Sequence, residues 1–237
     1  MAARPLVLGH RGASRVAPEN TVEAFTRARE LGANGAELDV RRTADGVLVV
    51  HHDAAIAGVG AVFEMTFAAL RAERPELATL DEALAALSGL VVNAEVKCLA
   101  WEPDADHDGS VMRATLDMLQ SHTASAGSGA VVVSSFELVA VDRAREYAPG
   151  IATAWLTHGQ PLAKTAPLVS QHGHRWLNPD VVSALAAGPA GIAAAHDAGL
   201  QVSVWTVDDP DDARALAAAG VDIIITNVPD VVIAAIS

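Results

Sequence analysis

The sequence predicts a single (β/α)8 barrel of the TIM type over residues 1–237, with an extra β-hairpin after the second strand. Three observations predict it. Short apolar runs alternate with alanine-rich helical stretches eight times along the chain. No segment rich in proline, glycine or serine breaks that alternation to mark a domain boundary. The length of 237 residues is ordinary for one such barrel, and 51% hydrophobic residues can fill its core.

The predicted strands are 6–9, 35–40, 90–96, 130–134, 151–156, 175–178, 201–206 and 222–226. The helical stretches that follow them are 21–32, 79–88, 110–121, 136–147, 161–171, 189–199, 209–219 and 229–236. Asn20-Thr21 with Glu23, and Thr79 with Glu82, read as capped helix starts, because a side-chain oxygen there accepts from an otherwise orphaned N–H. Gly32, Gly199 and Gly220 stand where helices should stop. One strand-like run, Val47 to His52, is left over. It follows the second strand after only Ala44-Asp45-Gly46, a link too short for a parallel crossover, so the two should pair antiparallel. With Asp45-Gly46 as a two-residue turn, Thr43 falls near Leu48 and Asp39 opposite His52. His51 then points away from His52. The segments 53–78 and 98–109 lie at the strand C-termini and read as walls or a lid over a pocket.

Composition narrows the partners. A net charge of −13 argues against nucleic acid and against an anionic membrane surface. It does not exclude an anionic small molecule, since a metal and local cations can reverse the field inside one pocket. The single cysteine, Cys98, excludes an internal disulfide framework and fits a reducing compartment. The N-terminal Met1-Ala2-Ala3-Arg4-Pro5 does not read as a cleaved signal, and no apolar run would insert stably in a bilayer. The expectation is a cytoplasmic protein; composition leaves its oligomeric state open.

Reading the strand ends, where barrels of this kind build their sites, collects polar groups in one place. They are His10 and Arg11, Glu37 and Asp39, Asn93, Glu95 and Lys97, Ser134-Ser135-Phe136, Thr157-His158, Asn178, Trp205-Thr206 and Thr226-Asn227. Asn93, Glu95 and Lys97 alternate along one strand and so share a face. Buried polar residues on one face are costly unless paired or bound to something. Glu37, Asp39 and Glu95 together offer oxygen-only ligands, which favour one divalent cation such as Mg²⁺ or Ca²⁺, with Mn²⁺ a further candidate. The competing reading is ion pairing: Glu95 with Lys97, and Glu37 or Asp39 with Arg41 or Arg42 at the surface. Both stay open on spacing alone. His10 and His52 bracket the carboxylates and suit paired acid and base work at a phosphate. Arg11 and Lys97 suit phosphate oxygens, and Trp205 an apolar wall. The other histidines read as surface or packing residues, with His158 the least settled.

At these residues the chain resembles the glycerophosphodiester phosphodiesterases. The motifs are His10-Arg11-Gly12 with Pro18-Glu19-Asn20-Thr21, Glu37-x-Asp39, Asp45-Gly46 leading to His52-Asp53, and Asn93-x-Glu95-x-Lys97. Ser134-Ser135-Phe136, Val204-Trp205-Thr206-Val207 and Gly220-Val221-Asp222 with Thr226-Asn227-x-Pro229 continue it, in order, to about residue 230. The resemblance implies a TIM-type barrel with a divalent cation on Glu37, Asp39 and Glu95. It implies His10 and His52 as the acid/base pair, Arg11 and Lys97 near the phosphate, and hydrolysis of a glycerophosphodiester to glycerol 3-phosphate and an alcohol. By similarity to the related phospholipase C barrels, the glycerol 2-hydroxyl attacks first and gives a cyclic phosphate, with His10 as base and His52 as acid. The chain departs from the pattern in three places, one of them the segment before Thr79, which is short and trims the small insertion that often shapes the substrate mouth. Ala54 to Gly60 replaces an arginine-bearing run, which affects head-group selectivity. Asn227 stands where aspartate is common. A lysophospholipase D-type substrate is the neighbouring reading, since Ile56, Val59, Val62, Phe63, Met65 and Phe67 are apolar enough to meet an acyl chain. A metal-dependent barrel isomerase or aldolase would not need both histidines. A non-catalytic binding protein would be expected to have lost one of these groups.

Overall fold

Parallel strands with intervening helices form either an open sheet or a closed barrel, and here the sheet closes. The computed structural model describes residues 4–97, 99–124 and 129–237, so Met1 to Ala3 and Cys98 lie outside the described residues. The order is β1 (Leu6–His10), α1 (Val22–Glu30), β2 (Gly35–Arg42), β3 (Leu48–Val50), β4 (Ala55–Ile56), β5 (Gly60–Ala61), α2 (Phe67–Glu73) and α3 (Leu80–Ala86). Then follow β6 (Val91–Val96), α4 (Ser110–Thr123), β7 (Val131–Ser135), α5 (Leu138–Tyr147), β8 (Ala152–Thr157) and α6 (Leu162–Gln171). The chain ends through β9 (Trp176–Pro179), α7 (Val181–Asp197), β10 (Gln201–Val204), α8 (Pro210–Ala219), β11 (Ile223–Thr226) and α9 (Pro229–Ala235). The strands β1, β2, β6, β7, β8, β9, β10 and β11 close a parallel ring through the β1–β11 and β1–β2 pairings. This is the TIM-type fold, with β3 outside the ring.

Strand alternation splits the apolar residues between two cores. Ala36, Leu38 and Val40 of β2 and Val92, Ala94 and Val96 of β6 face outward and pack under Phe25, Leu80, Leu84 and Leu116 of the helices. Val7, Val202, Val204 and Ile224 do the same on the far side. The inward residues Leu8, Val132, Ala154, Trp176, Ile223 and Ile225 fill the barrel itself. The same alternation turns Glu37, Asp39 and Arg41 of β2, and Asn93, Glu95 and Lys97 at β6, inward at the C-terminal end.

The helix caps fall where the sequence places them. Thr21 accepts from Ala24 N, and Thr79 with Glu82 forms a reciprocal capping box. The helix expected over 189–199 instead begins at Val181, capped by Asp180, and breaks at Gly188. Pro189 follows the break, so the expected range covers only the second half of the helix.

The hairpin forms with a different register. Val40 pairs with Val50 and Arg42 with Leu48, and His51 N–H donates to Asp39 O. His51, not His52, therefore stands opposite Asp39. The reason is the turn. Gly46 N–H donates to Thr43 O and Thr43 N–H to Val47 O, so the loop is the three residues Ala44, Asp45 and Gly46. Gly46 has φ +86°, which makes it the left-handed residue of a bulged turn. Thr43 Oγ1 donates to Asp45 Oδ1, which also accepts from Phe67 N–H.

The 53–78 segment carries structure of its own. β4 and β5 form a small ribbon, a 3-10 turn covers Val62–Glu64, and α2 follows. Ile56, Val62, Leu70 and Leu77 pack with Val49 into a satellite core, and Val59, Met65 and Phe67 pack against it. The apolar residues that could have met an acyl chain are mostly spent on this packing. Phe63 is half-buried and lines a cavity together with Lys97 and Asp104.

Gly46 tests the hairpin. A Cβ there meets nothing within 4 Å. Gly46→Ala should therefore lose only about 1–2 kcal/mol in urea melts, the cost of a left-handed backbone. A much larger loss would mean that the turn is not as described.

Candidate active site

Three carboxylates converge at the top of neighbouring strands. Register places Glu37 beside His10 on β1 and beside Asn93 on β6, and Asp39 beside Glu95. One oxygen from each of Glu37, Asp39 and Glu95 lies within 4.8 Å of the others, and all three residues are buried. Crowding buried negative charge raises the cost of ionisation. Glu37 is raised well above the carboxylate range, by burial first and then by Asp39 and Glu95. Glu95 is pushed up to about 7, again mainly by burial, with Asp39 adding and Lys97 opposing. Burial would raise Asp39 too, but Lys97 and then Arg11 hold it well below its ordinary value.

Two cations flank Asp39. Lys97 Nζ lies 2.9 Å from Asp39 Oδ1 and also meets Glu95 Oε1. Arg11 Nε lies 3.1 Å from Asp39 Oδ2, and its Nη1 is 2.9 Å from Glu19. Arg11 has φ +56°, uncommon for a residue with a side chain. That backbone aims its N–H at Glu37 Oε2, 3.0 Å away. Asn20 also has positive φ, and its amide holds Asp39 at both ends. Nδ2 donates to Asp39 Oδ2 at 2.7 Å, and Oδ1 accepts from Asp39 N–H at 3.2 Å.

Neighbouring groups set the tautomer of His10. Asn227 Nδ2 donates to Asp208 Oδ2 at 2.7 Å, and an ionised carboxylate can only accept. Asn227 Oδ1 therefore faces His10 Nδ1, 2.8 Å away, and Nδ1 must donate. This leaves Nε2 unprotonated and turned toward Glu37, 4.0 Å off. Burial, and then Arg11, lower the pKa of His10, which keeps the imidazole neutral.

His52 sits at the rim, its side chain 38% exposed, with Nδ1 2.7 Å from Asp53 Oδ1. Despite the shifted register, it is close enough to help hold Asp39 ionised. Arg41 brings it there. The guanidinium donates to the backbone carbonyl of His52 from Nε at 2.8 Å and Nη2 at 2.7 Å. Trp205 stands across the mouth, edge-on to Phe136 at 5.4 Å and tilted against His158 at 6.0 Å. Its indole N–H donates to Asn178 O.

A profile described as the glycerophosphoryl diester phosphodiesterase family matches residues 10–231. The chain belongs to that family. A Mycobacterium tuberculosis protein named probable glycerophosphodiester phosphodiesterase 1 is 32% identical over 235 residues, covering 90% of this chain and 85% of its own. A glycerophosphodiester phosphodiesterase of Caldanaerobacter subterraneus is 29% identical, with 97% of each chain covered. The crystal structure of a glycerophosphodiester phosphodiesterase from Thermotoga maritima superposes with a TM-score of 0.80 at 26% identity, covering 98% of both chains.

For this phosphodiesterase, the sequence reading picked out the groups that the fold brings together: His10, Arg11, Glu37, Asp39, Glu95 and Lys97, with His52 and Trp205 at the rim. Half of the competing ion-pair reading is also present, as Glu95 does meet Lys97. Arg41 and Arg42, however, do not pair with Glu37 or Asp39; Arg42 donates to Ser110. Sequence reasoning missed Asn20, Asp208, Arg41, Glu102 and Asp104 as site residues. Arg41 carried a readable signal, since it continues the alternation of Glu37 and Asp39. A second group that could hold a metal, Asp142 with His172 and His174, lies at the opposite end of the barrel, near the strand starts. There Asp142 accepts from both histidines, and His174 Nδ1 meets Thr153 Oγ1, so these side chains satisfy one another.

Glu37, Asp39 and Glu95 fit a divalent cation by their chemistry. Glu37 Oε1 is buried without a hydrogen-bond partner, and all the ligand atoms on offer are oxygen. The protonation of Glu95 gives a signed prediction. Its folded pKa of about 7 lies above the ordinary 4.5, so between those values the folded chain holds more protons than the unfolded one. Without a cation, stability should therefore fall as pH rises through that window, and Glu37 acts in the same direction. A divalent ion replaces the protons. The rise in Tm on adding Mg²⁺ or Ca²⁺ should be larger at about pH 8 than at about pH 5.5, read by scanning fluorimetry. Equal rises at both would contradict the trio as the binding site.

Proposed function

We propose that this chain hydrolyses glycerophosphodiesters to sn-glycerol 3-phosphate and an alcohol, using one divalent cation and two histidines. The observation that carries the reading is the carboxylate trio set between a histidine with an unprotonated Nε2 and a second histidine at the rim. Family membership supports the reaction class. Glu37, Asp39 and Glu95 would hold Mg²⁺ or Ca²⁺, with Mn²⁺ a further candidate. The ion would supply Lewis-acid stabilisation of charge on the phosphoryl oxygens. Arg11 and Lys97 would take the remaining phosphate oxygens, and Trp205 would wall the glycerol or alcohol group.

His10 is the base in this reading. Its Nε2 takes the proton of the attacking hydroxyl, the glycerol 2-hydroxyl, as an O–P bond forms. His52 is the acid: its Nε2 gives a proton to the departing alcohol oxygen as the other P–O bond breaks. Water then opens the cyclic phosphate with the two roles reversed. We place the reaction within one barrel unit over 1–237 and in the cytoplasm. The single cysteine fits that location.

Purified protein incubated with glycerophosphocholine, glycerophosphoethanolamine, glycerophosphoglycerol and a lysophospholipid tests the reaction. Glycerol 3-phosphate should appear with Mg²⁺ or Ca²⁺ and disappear with EDTA. No product under any ion would sink the hydrolase reading, and lysophosphatidate as the main product would favour the lysophospholipid substrate. His10→Ala and His52→Ala should each cost kcat roughly 10²–10⁴-fold on glycerophosphocholine. A good leaving group such as p-nitrophenol should restore the His52 variant and not the His10 variant; the reverse pattern would exchange their roles.

A further inference from the structure

Arg41 is among the most deeply buried large side chains in the protein, 1% exposed, at the site end of β2. A buried guanidinium is costly unless each of its donors is met. Here they are met from two directions. Nη1 lies 2.6 Å from Asp104 Oδ2 and Nη2 3.0 Å from Glu102 Oε1. Nε and Nη2 together grip the carbonyl of His52. The sheet does not hold that carbonyl: β3 ends at Val50, and the last rung of the hairpin is His51 N–H to Asp39 O. The carboxylates come from the loop that follows Lys97, which is itself anchored. Ala100 N–H donates to Glu137, and Asp106 accepts from Val111 and Met112 N–H at the start of α4. A loop anchored by these hydrogen bonds thus reaches His52 through one side chain.

We propose that Arg41 is a positioning residue for His52, and that the loop bearing Glu102 and Asp104 sets the aim of the proton donor through it. This rests on the reading of His52 as the acid. A proton donor a fraction of an ångström out of place loses most of its effect, whereas binding of the substrate through Arg11, Lys97 and a cation held by the carboxylates does not depend on it. Arg41→Lys keeps the buried charge beside Glu102 and Asp104 but replaces the planar fork with a point charge that cannot also hold the carbonyl from two donors.

The test compares leaving groups. Arg41→Lys, Asp104→Asn and His52→Ala are assayed on glycerophosphocholine and on the p-nitrophenyl diester of glycerol 3-phosphate, with thermal melts to confirm folding. Arg41→Lys should lower kcat on glycerophosphocholine about tenfold or more, leave KM within roughly twofold, and leave kcat on the p-nitrophenyl diester within about threefold. Asp104→Asn should show the same selectivity in weaker form, and it carries the test if the lysine variant does not fold. Equal losses on both substrates, or no loss, with a selective His52→Ala would overturn the positioning role alone. A His52→Ala that is itself unselective would instead remove the acid assignment on which the proposal rests.

Discussion

The mutual repulsion of Glu37, Asp39 and Glu95 organises this end of the barrel. Three carboxylates within reach of one another, out of water, cannot all stay charged unless cations are supplied. The protein supplies part of that charge itself. Lys97 and Arg11 close on Asp39 from opposite sides and keep it ionised. Glu37 and Glu95 are left with raised pKa values, and Glu37 Oε1 lacks a donor. A divalent cation would complete the balance, and the all-oxygen donor set fits one.

Around this centre the two histidines are held by different means. His10 is locked through side chains: Asp208 orients Asn227, and Asn227 leaves His10 only one tautomer. The asparagine that departs from the family pattern thus still orients the ring, without adding a charge beside it. His52 is held through its backbone by Arg41, with Asp53 on its ring. The more buried ring is kept neutral and the more exposed one sits at the mouth, an arrangement suited to taking a proton inside and delivering one to a group that leaves toward solvent.

Much of this was legible in the residues. The eight strand and helix pairs follow from apolar periodicity and caps, and Asn93-x-Glu95-x-Lys97 announced an inward polar face. What was hidden depended on geometry that no spacing encodes. A three-residue turn and a two-residue turn are equally compatible with Ala44-Asp45-Gly46, and that difference put His51 where His52 was expected. Glu102 and Asp104 reach Arg41 from about sixty positions away in the chain, so their partner could not be read locally. The apolar residues after Asp53 looked free to line a pocket because the satellite core that absorbs them exists only in three dimensions.

The most direct test of the central claim is a titration of the purified chain with Mn²⁺ at pH above 7, followed by electron paramagnetic resonance of the free ion. The account predicts one tight Mn²⁺ per chain, competed off by Mg²⁺ or Ca²⁺ and lost in Glu37→Gln and Glu95→Gln variants that still melt cooperatively. Binding that persists unchanged in both variants, or no binding by the wild-type chain, would contradict it.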